Sequence, residues 1–295
     1  MEDVIRALTF VISAGAIFLA IMAAEAIYSY YKTGRSGYCL KETLANMCTG
    51  FVYKLTDGIA IALVITALAQ YLQPFSLQWK SESKAIEFVC IFLLADLFFY
   101  FKHYVAHKVR WFWAVHVTHH SSERFNFSTA LRQNFLHAIQ GSWAFQWIPL
   151  VLLGFDPDLI LRAIEINLFY QFFIHTQTIG RLGWLESVLN TPSHHRVHHG
   201  RNPDQVDRNF GGVFIIWDKV FGTFRDERDA GEIKYGVTRT ANSINNPIDI
   251  QTHEFIDMFK DAWRHKDIRI LYKAPDWVDQ HYRNSASTTE IRQQP

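Results

Sequence analysis

Residues 190–202 read N-T-P-S-H-H-R-V-H-H-G-R-N and place four histidines within six positions. Imidazoles this crowded need many hydrogen-bond partners, and they repel one another once protonated. Such a run is unfavourable in a protein core that is stabilised by packing alone. The run therefore indicates a functional role for imidazoles that the fold brings together. The other histidines in the chain bear on what that role is.

The spacing of this run recurs upstream. His195, His198 and His199 lie at positions i, i+3 and i+4; His116, His119 and His120 repeat that pattern, and His103 and His107 lie at i and i+4. Residues three and four apart share one face of a helix, so each group predicts a helix that projects its imidazoles in one direction. Imidazole binds zinc, copper, iron and nickel. Eight ligands exceed the four that a structural zinc ion takes, so we expect two metal ions in one site.

Composition points to lipid rather than to a charged partner. The 295 residues carry a formal charge of +1, which gives no reason to expect a nucleic acid. Aromatic residues make up 15%, as in proteins that meet a bilayer interface. Cys39, Cys48 and Cys90 show neither a disulfide framework nor a metal-binding spacing, so we expect reduced thiols.

Apolar runs predict an all-α integral membrane helical bundle of about four to five membrane segments. They cover residues 7–24, 58–75, 85–101, 138–155 and 159–174. A signal peptide is the alternative for the first run, but it needs a positive start, and Glu2 and Asp3 outweigh Arg6. We therefore expect this helix to be retained.

Histidine-rich polar stretches at 102–137 and 175–210 separate the later runs and contain most of the nearby Lys and Arg. The positive-inside rule places both stretches in the cytosol, at the end of the bundle. We divide the chain into membrane segments at 1–84, a histidine-box catalytic domain at 85–240, a helical region at 241–283 and a disordered tail at 284–295.

Several other residues are candidates for supporting roles. Asp96 precedes His103 by two helical turns, so we expect its carboxylate to orient a ligand imidazole; the alternative is a carboxylate satisfied by a neighbouring helix. His194 adjoins its box without sharing the spacing, and we assign it a supporting role. Spacing leaves His175 undecided. The histidines without box spacing are interpreted as structural: His137, His253, His265 and His281.

The boxes resemble those of the fatty acid hydroxylase superfamily, membrane proteins often labelled sterol desaturases. That family has H-x(3–4)-H, H-x-x-H-H and a later H-x-x-H-H. The resemblance continues through Asn209-Phe210-Gly211, similar to its N-[YF]-G, and through WDKVFGTF at 217–224. It covers about residues 85 to 240. Stretches 119–133 and 190–202 most resemble members that hydroxylate the ether-linked carbon of glyceryl ethers.

This resemblance implies a ligand set and a chemistry. The metal ligands would be the eight box histidines and His175. Some members have a histidine at the position of Gln171, where water or the glutamine oxygen would take its place. Asn209 would support the ligands from outside the coordination sphere. The implied cofactors are two iron ions, with O2 as co-substrate and tetrahydrobiopterin or a protein electron donor as reductant. Lys108 departs from the acidic residue expected beside His107 in the ether-cleaving members.

We therefore predict a membrane-bound di-iron oxygenase that hydroxylates a C–H bond of a membrane lipid. If that carbon bears an ether oxygen, the product would collapse to an aldehyde and an alcohol. The alternatives are a fatty acid, sterol or sphingoid lipid hydroxylase or desaturase, a non-catalytic or transporting metal-binding membrane protein, and a bis-histidine haem protein. We expect a multi-pass protein of a bacterial cytoplasmic membrane, or otherwise of the endoplasmic reticulum, with a cytosolic active site. A redox partner protein is one of the two candidate electron donors.

Overall fold

The structure is a computed structural model that describes residues 2–79, 82–237 and 245–283. These residues form helices and loops without a β-strand; one isolated antiparallel bridge joins Leu189 and Phe214. The all-α prediction is confirmed for them. The helices are α1 Glu2–Thr33, α2 Leu40–Ala60, α3 Thr66–Leu72, α4 Lys84–Lys108, α5 Arg110–His120, α6 His137–Gln140, α7 Ala144–Leu153, α8 Pro157–Phe173, α9 Pro192–His198, α10 Ile216–Phe221, α11 Pro247–His265 and α12 Pro275–Val278. The tail assigned to 284–295 lies outside the described residues.

Tighter and wider helical turns connect or extend these helices. Ile61–Ile65 and Asp279–Arg283 are π-helical, and Ile61–Ile65 joins α2 to α3 without a break. Short 3-10 turns cover Gln73–Phe75, Phe127–Leu131, Gly183–Ser187, Glu227–Asp229 and Ile268–Leu271.

One continuous helical stretch among the described residues, Leu40–Phe75, is long and apolar enough to cross a bilayer, judged by length and composition alone. Its large apolar side chains are mostly exposed: Phe51 is 72% and Leu63 is 69% accessible. Exposed apolar surface of this extent marks a membrane or protein contact. The further spans expected from the apolar runs are not established by this criterion, and the bundle of four to five segments stays a proposal.

Helix α4 is central to the molecule. It packs against α5, α7 and α8, and its apolar residues surround it, which is the pattern of a helix buried in a protein core or in a membrane. Ala95 on α4 and Ala163 on α8 are completely buried, and their small side chains allow the two helices to approach closely. The apolar core around them includes Ile91, Leu150 and Ile160. The carboxyl-terminal end of α4 is thereby held firmly where its histidines lie.

Two local features aim the other histidine helices. Val109, extended at φ −124° and ψ 117°, separates α4 from α5 and changes the direction of the chain between the first two boxes. Helix α5 is held from outside by α11, because Arg110 donates to Glu254 and Asp261 at 2.8 Å each. Helix α9 begins with Pro192 after the capping residue Thr191, and all seven of its residues are buried.

Candidate metal centre

Helices α4, α5 and α9, together with His175 just after α8, bring nine histidines to one end of the core. They form two groups, and in each group the ring nitrogens that face one another lie within 4.8 Å. We call these the five-histidine and the four-histidine cluster. The five-histidine cluster contains His103, His107, His116, His120 and His198; the four-histidine cluster contains His119, His175, His195 and His199. These are the nine residues that the sequence analysis named as metal ligands.

Four of the nine imidazoles are oriented by backbone carbonyl groups. A carbonyl oxygen only accepts hydrogen bonds, so the Nδ1 atom facing it must carry the proton, and in the neutral ring Nε2 then carries a lone pair. The pairs are His103 Nδ1 with Phe210 O at 2.8 Å, His119 with Arg132 O at 3.2 Å, His175 with Gln171 O at 2.6 Å and His198 with Arg208 O at 2.8 Å. All four Nε2 atoms therefore present lone pairs to the clusters.

The resulting contacts suit a cation. His119 Nε2 and His175 Nε2 lie 3.1 Å apart, although each is an acceptor in the tautomer that its Nδ1 bond requires. Two facing lone pairs cannot form a hydrogen bond. The buried Nε2 atoms of His107 and His198 have no hydrogen-bond partner among the described residues. Buried unpaired acceptors are costly. Because an all-imidazole donor set suits first-row transition metals, the residues present fit metal ions of this class.

Burial favours the neutral form of most of the clustered rings. Loss of solvation lowers the pKa of His119 to about 4 and lowers the pKa values of His195, His198 and His199 well below their ordinary value. A metal ion binds the unprotonated nitrogen, so a protein that keeps its imidazoles neutral has no proton to displace before binding.

Asp207 holds His107 and was missed by the sequence analysis. Its Oδ1 accepts from His107 Nδ1 at 3.3 Å, and its Oδ2 accepts from the ammonium group of Lys108. Burial alone would raise the pKa of Asp207, but these two hydrogen bonds hold it at about 2. Lys108 thus neutralises the carboxylate that orients a cluster histidine. Nothing in the spacing pairs residues 107 and 207.

Replacing Asp207 with asparagine should weaken metal binding to the five-histidine cluster. Partners of this kind typically contribute a factor of about 10–100 in metal affinity, because they set the ring orientation and the basicity of the ligand. Competition with a chelator during metal titration of the purified protein measures the change. Asp204→Asn is the matched control, since Asp204 is half-exposed and pairs with Arg225 on the surface, away from both clusters. Equal metal affinity in the two variants would contradict the role of Asp207.

The structure corrects the expectation for Asp96. Its carboxylate accepts four hydrogen bonds, from Val213 N, Asn167 Nδ2, Phe214 N and Trp217 Nε1, at 2.6–3.0 Å, and none of them comes from an imidazole. The alternative of a carboxylate satisfied by neighbouring elements is therefore the better description. Asp96 anchors the segment that follows Gly211, and Phe210, which holds His103, lies in the same loop.

The other three supporting residues differ in what they contact: Gln171 contacts a cluster histidine, whereas His194 and Asn209 stabilise the position of α9. Gln171 accepts from His175 Nδ1 with its main-chain oxygen, whereas its side-chain amide donates to Asn167. His194 has its ring against Phe224, and its Nδ1 accepts from Thr191 N at the start of α9. Asn209, at φ +57°, donates to His194 O and Arg225 O, so it fixes α9 to the chain that follows. Its left-handed conformation is one that asparagine adopts readily.

A cavity of about 1070 Å³ opens beside the clusters. His103, His116, His119, His175 and His195 form part of its wall, and most of the remaining wall is apolar. Phe88 also lines it, fifteen residues before His103 on α4, so the cavity extends about 22 Å along that helix at 1.5 Å per residue. One leaflet of a bilayer core is about 15 Å thick, so the cavity is long enough for a lipid chain.

Comparison with known proteins places these residues in a family context. The fatty acid hydroxylase family model matches residues 88–223. Alkylglycerol monooxygenase of Homo sapiens is 38% identical over 267 residues, which are 88% of this chain and 58% of that protein. The Xenopus tropicalis protein of the same name is 36% identical, with the same shares of the two chains. Ornithine lipid hydroxylase of Rhizobium tropici is 26% identical over 75% of this chain and 70% of its own length. No solved structure matches the chain.

Proposed function

We propose, from the premise that this chain belongs to the fatty acid hydroxylase family through residues 88–223, that it is a membrane-bound monooxygenase acting on a C–H bond of a lipid. The observation that carries the proposal is the position of nine clustered imidazoles at one end of a long, mostly apolar cavity. An apolar cavity excludes water from the reacting carbon and holds a hydrocarbon chain in one orientation.

The two clusters would each hold one iron ion. Five and four nitrogen ligands exceed what one ion needs, so two ions account for the set more simply than one does. When bound, the iron pair would supply the redox centre that activates O2 for hydroxylation. The protein's own residues would orient the ligands through the carbonyl groups and Asp207. Burial would keep the rings of His119, His195, His198 and His199 unprotonated at their ligand nitrogens. Zinc suits the same ligands but has no redox chemistry to offer.

The reaction requires a reductant. One atom of O2 enters the C–H bond and the other leaves as water, which consumes two electrons and two protons. Tetrahydrobiopterin or a protein electron donor is the proposed source. The proposed substrate is an alkylglycerol hydroxylated at its ether-linked carbon, because two relatives that match 88% of this chain carry the name alkylglycerol monooxygenase. Hydroxylation there forms a hemiacetal that collapses to a fatty aldehyde and glycerol.

A hydroxylase or desaturase of fatty acids, sterols or sphingoid lipids is the second candidate. The similarity to an ornithine lipid hydroxylase over most of both chains supports this second candidate. A metal transporter is a weaker proposal, since its ligands would be distributed along a path across the membrane, whereas these histidines gather at one end of the cavity. We place the protein in a multi-pass membrane setting with the clusters on the cytosolic side, on the strength of the exposed apolar helix and the basic residues near the boxes.

Metal analysis and product analysis test this function together. We expect two iron ions per chain in protein purified anaerobically, and fatty aldehyde released from hexadecylglycerol when O2 and a reductant are present. One haem per chain, or protein that binds no metal, would exclude the di-iron centre. Activity on fatty acids or sterols without aldehyde release would replace the ether-lipid substrate by the second candidate.

A further inference from the structure

The cavity beside the histidine clusters is polar in one region. Tyr53 from α2, Lys102 from α4 and both His137 and Gln140 from α6 line it there. Lys102 precedes the cluster residue His103, so these groups adjoin the metal end of the cavity. The rest of the wall, with Phe88, Leu159 and Phe169 among its residues, is mostly apolar. We call the four side chains the polar subsite.

The polar subsite has hydrogen-bonding capacity that the described residues leave unused. Gln140 Oε1 is buried and has no hydrogen-bond partner among the described residues, whereas His137 Nδ1 faces Asp57 Oδ1 at 3.5 Å. Lys102 Nζ donates one bond, to Gln146 Oε1 at 3.3 Å, and keeps two protons. Buried polar groups without partners are costly, so a ligand that both donates and accepts would stabilise this region.

Charge at the polar subsite is close to balanced. Lys102 interacts electrostatically with Asp57, which lies beside His137. A negatively charged head group would gain from Lys102 but would be opposed by the Asp57 carboxylate. Lys54, also on the cavity wall, interacts electrostatically with Asp57 and His137, but it is exposed, as are Arg162 and Glu165, so solvent screens these three charges. A neutral ligand with hydroxyl groups, each both donor and acceptor, fits the polar subsite best.

We propose that the polar subsite binds the hydroxyl groups of a neutral lipid head group. This inference rests on the proposed function and deepens it, since it names the part of the substrate that the cavity recognises. With the head group held by Lys102, His137 and Gln140, the chain extends along the apolar wall. The carbon nearest the head group then lies closest to the histidine clusters, so the lipid is oxidised beside its head group rather than at the far end of its chain.

Equilibrium binding to the purified full-length protein tests this inference without turnover. The probes are hexadecylglycerol and hexadecyl methyl ether, which has the same chain and ether but no hydroxyl group. We expect Lys102→Met and Gln140→Leu each to raise the Kd for hexadecylglycerol by about tenfold, since a hydrogen bond to a buried group contributes roughly 1–1.5 kcal/mol. The Kd for the methyl ether should stay the same or fall. Tyr53→Phe removes only a hydroxyl group and should weaken the binding of hexadecylglycerol but not that of the methyl ether.

Lys260→Met is the matched control, because Lys260 is exposed on α11, away from the cavity. Unchanged hexadecylglycerol binding in all three subsite variants would overturn the inference. An equal loss of affinity for both probes, in variants whose thermal unfolding matches that of the native protein, would also overturn the inference. Selective loss of hexadecylglycerol binding by a protein that releases no aldehyde would support the polar subsite and reject the proposed reaction. Aldehyde release together with unaltered hexadecylglycerol binding in the variants would support the proposed reaction and reject the polar subsite.

Discussion

Replacing His198 with alanine is expected to reduce turnover by more than about 100-fold. Loss of a partner outside the coordination sphere already costs about 10–100-fold in metal affinity or activity, and loss of a ligand should cost more. His198 Nε2 faces the five-histidine cluster without a partner, and its Nδ1 is held by Arg208 O at 2.8 Å. The five-histidine cluster would keep four ligands, so its iron ion should be bound more weakly and be removed more easily by a chelator. Metal analysis and lipid turnover by the membrane fraction measure both effects.

The control for this variant is His265→Ala, the same substitution at an exposed residue whose ring packs on Tyr282 outside both clusters. It should retain activity and metal content. The His198→Ala protein should still sediment with membranes, because α9 lies in the polar region that we place in the cytosol. Native activity in His198→Ala would remove this histidine from the site; loss of the protein from the membrane fraction would show that the residue is needed for folding instead.

Replacing Asp96 with asparagine is expected to lower the free energy of unfolding by about 3 kcal/mol. Its Oδ1 accepts from Val213 N and Asn167 Nδ2, and its Oδ2 accepts from Phe214 N and Trp217 Nε1. Either orientation of an amide turns its NH2 group towards two of these donors and leaves them unpaired. Each buried donor without a partner costs about 1–3 kcal/mol. Denaturant unfolding in detergent micelles measures the loss.

Asp158→Asn provides the matched comparison, because Asp158 is exposed in the first turn of α8, where loss of its charge should cost less than about 1 kcal/mol. Metal affinity should also fall in Asp96→Asn, since the anchored loop contains Phe210, whose carbonyl holds His103. Gly212 shows how closely this loop approaches: an added Cβ atom there would lie 2.7 Å from Asp96 Oδ1. Stability within 1 kcal/mol of native would contradict the anchoring role of Asp96.

The helices that carry the boxes and the identity of the nine clustered histidines were predictable. Spacing at i, i+3 and i+4 on a helix is enough to place eight of the nine on three helical faces, and the family resemblance added His175. The apolar runs likewise coincide with α1, α4 and α8 and with the stretch Leu40–Phe75. What they could not establish is how many of these helices span a membrane, because length and hydropathy are shared by spanning helices and buried core helices.

The division of the nine into two clusters depends on helix geometry and on packing. Successive residues of a helix are rotated by about 100°, so residues at i and i+4 differ by about 40° while the residue at i+3 lies on the other side. Accordingly His116 and His120 share one cluster while His119 joins the other, and His195 and His199 share one cluster while His198 joins the other. Spacing alone predicts the pairs. Only the packing of α9 against α4 and α5 decides which cluster each pair joins.

The partners that orient the ligands were beyond the reach of the sequence. Backbone carbonyl groups are present at every residue and carry no signature, and Asp207 lies a hundred positions from the histidine it holds. Asp96 was recognised as a costly buried carboxylate, but its donors are contributed by α8 and by residues 213–217. The sequence by itself thus determined the helices and the metal-binding residue types, because both follow from local periodicity. The tertiary structure decided the clusters, their orienting partners and the polar subsite, because each depends on contacts between residues far apart in the chain.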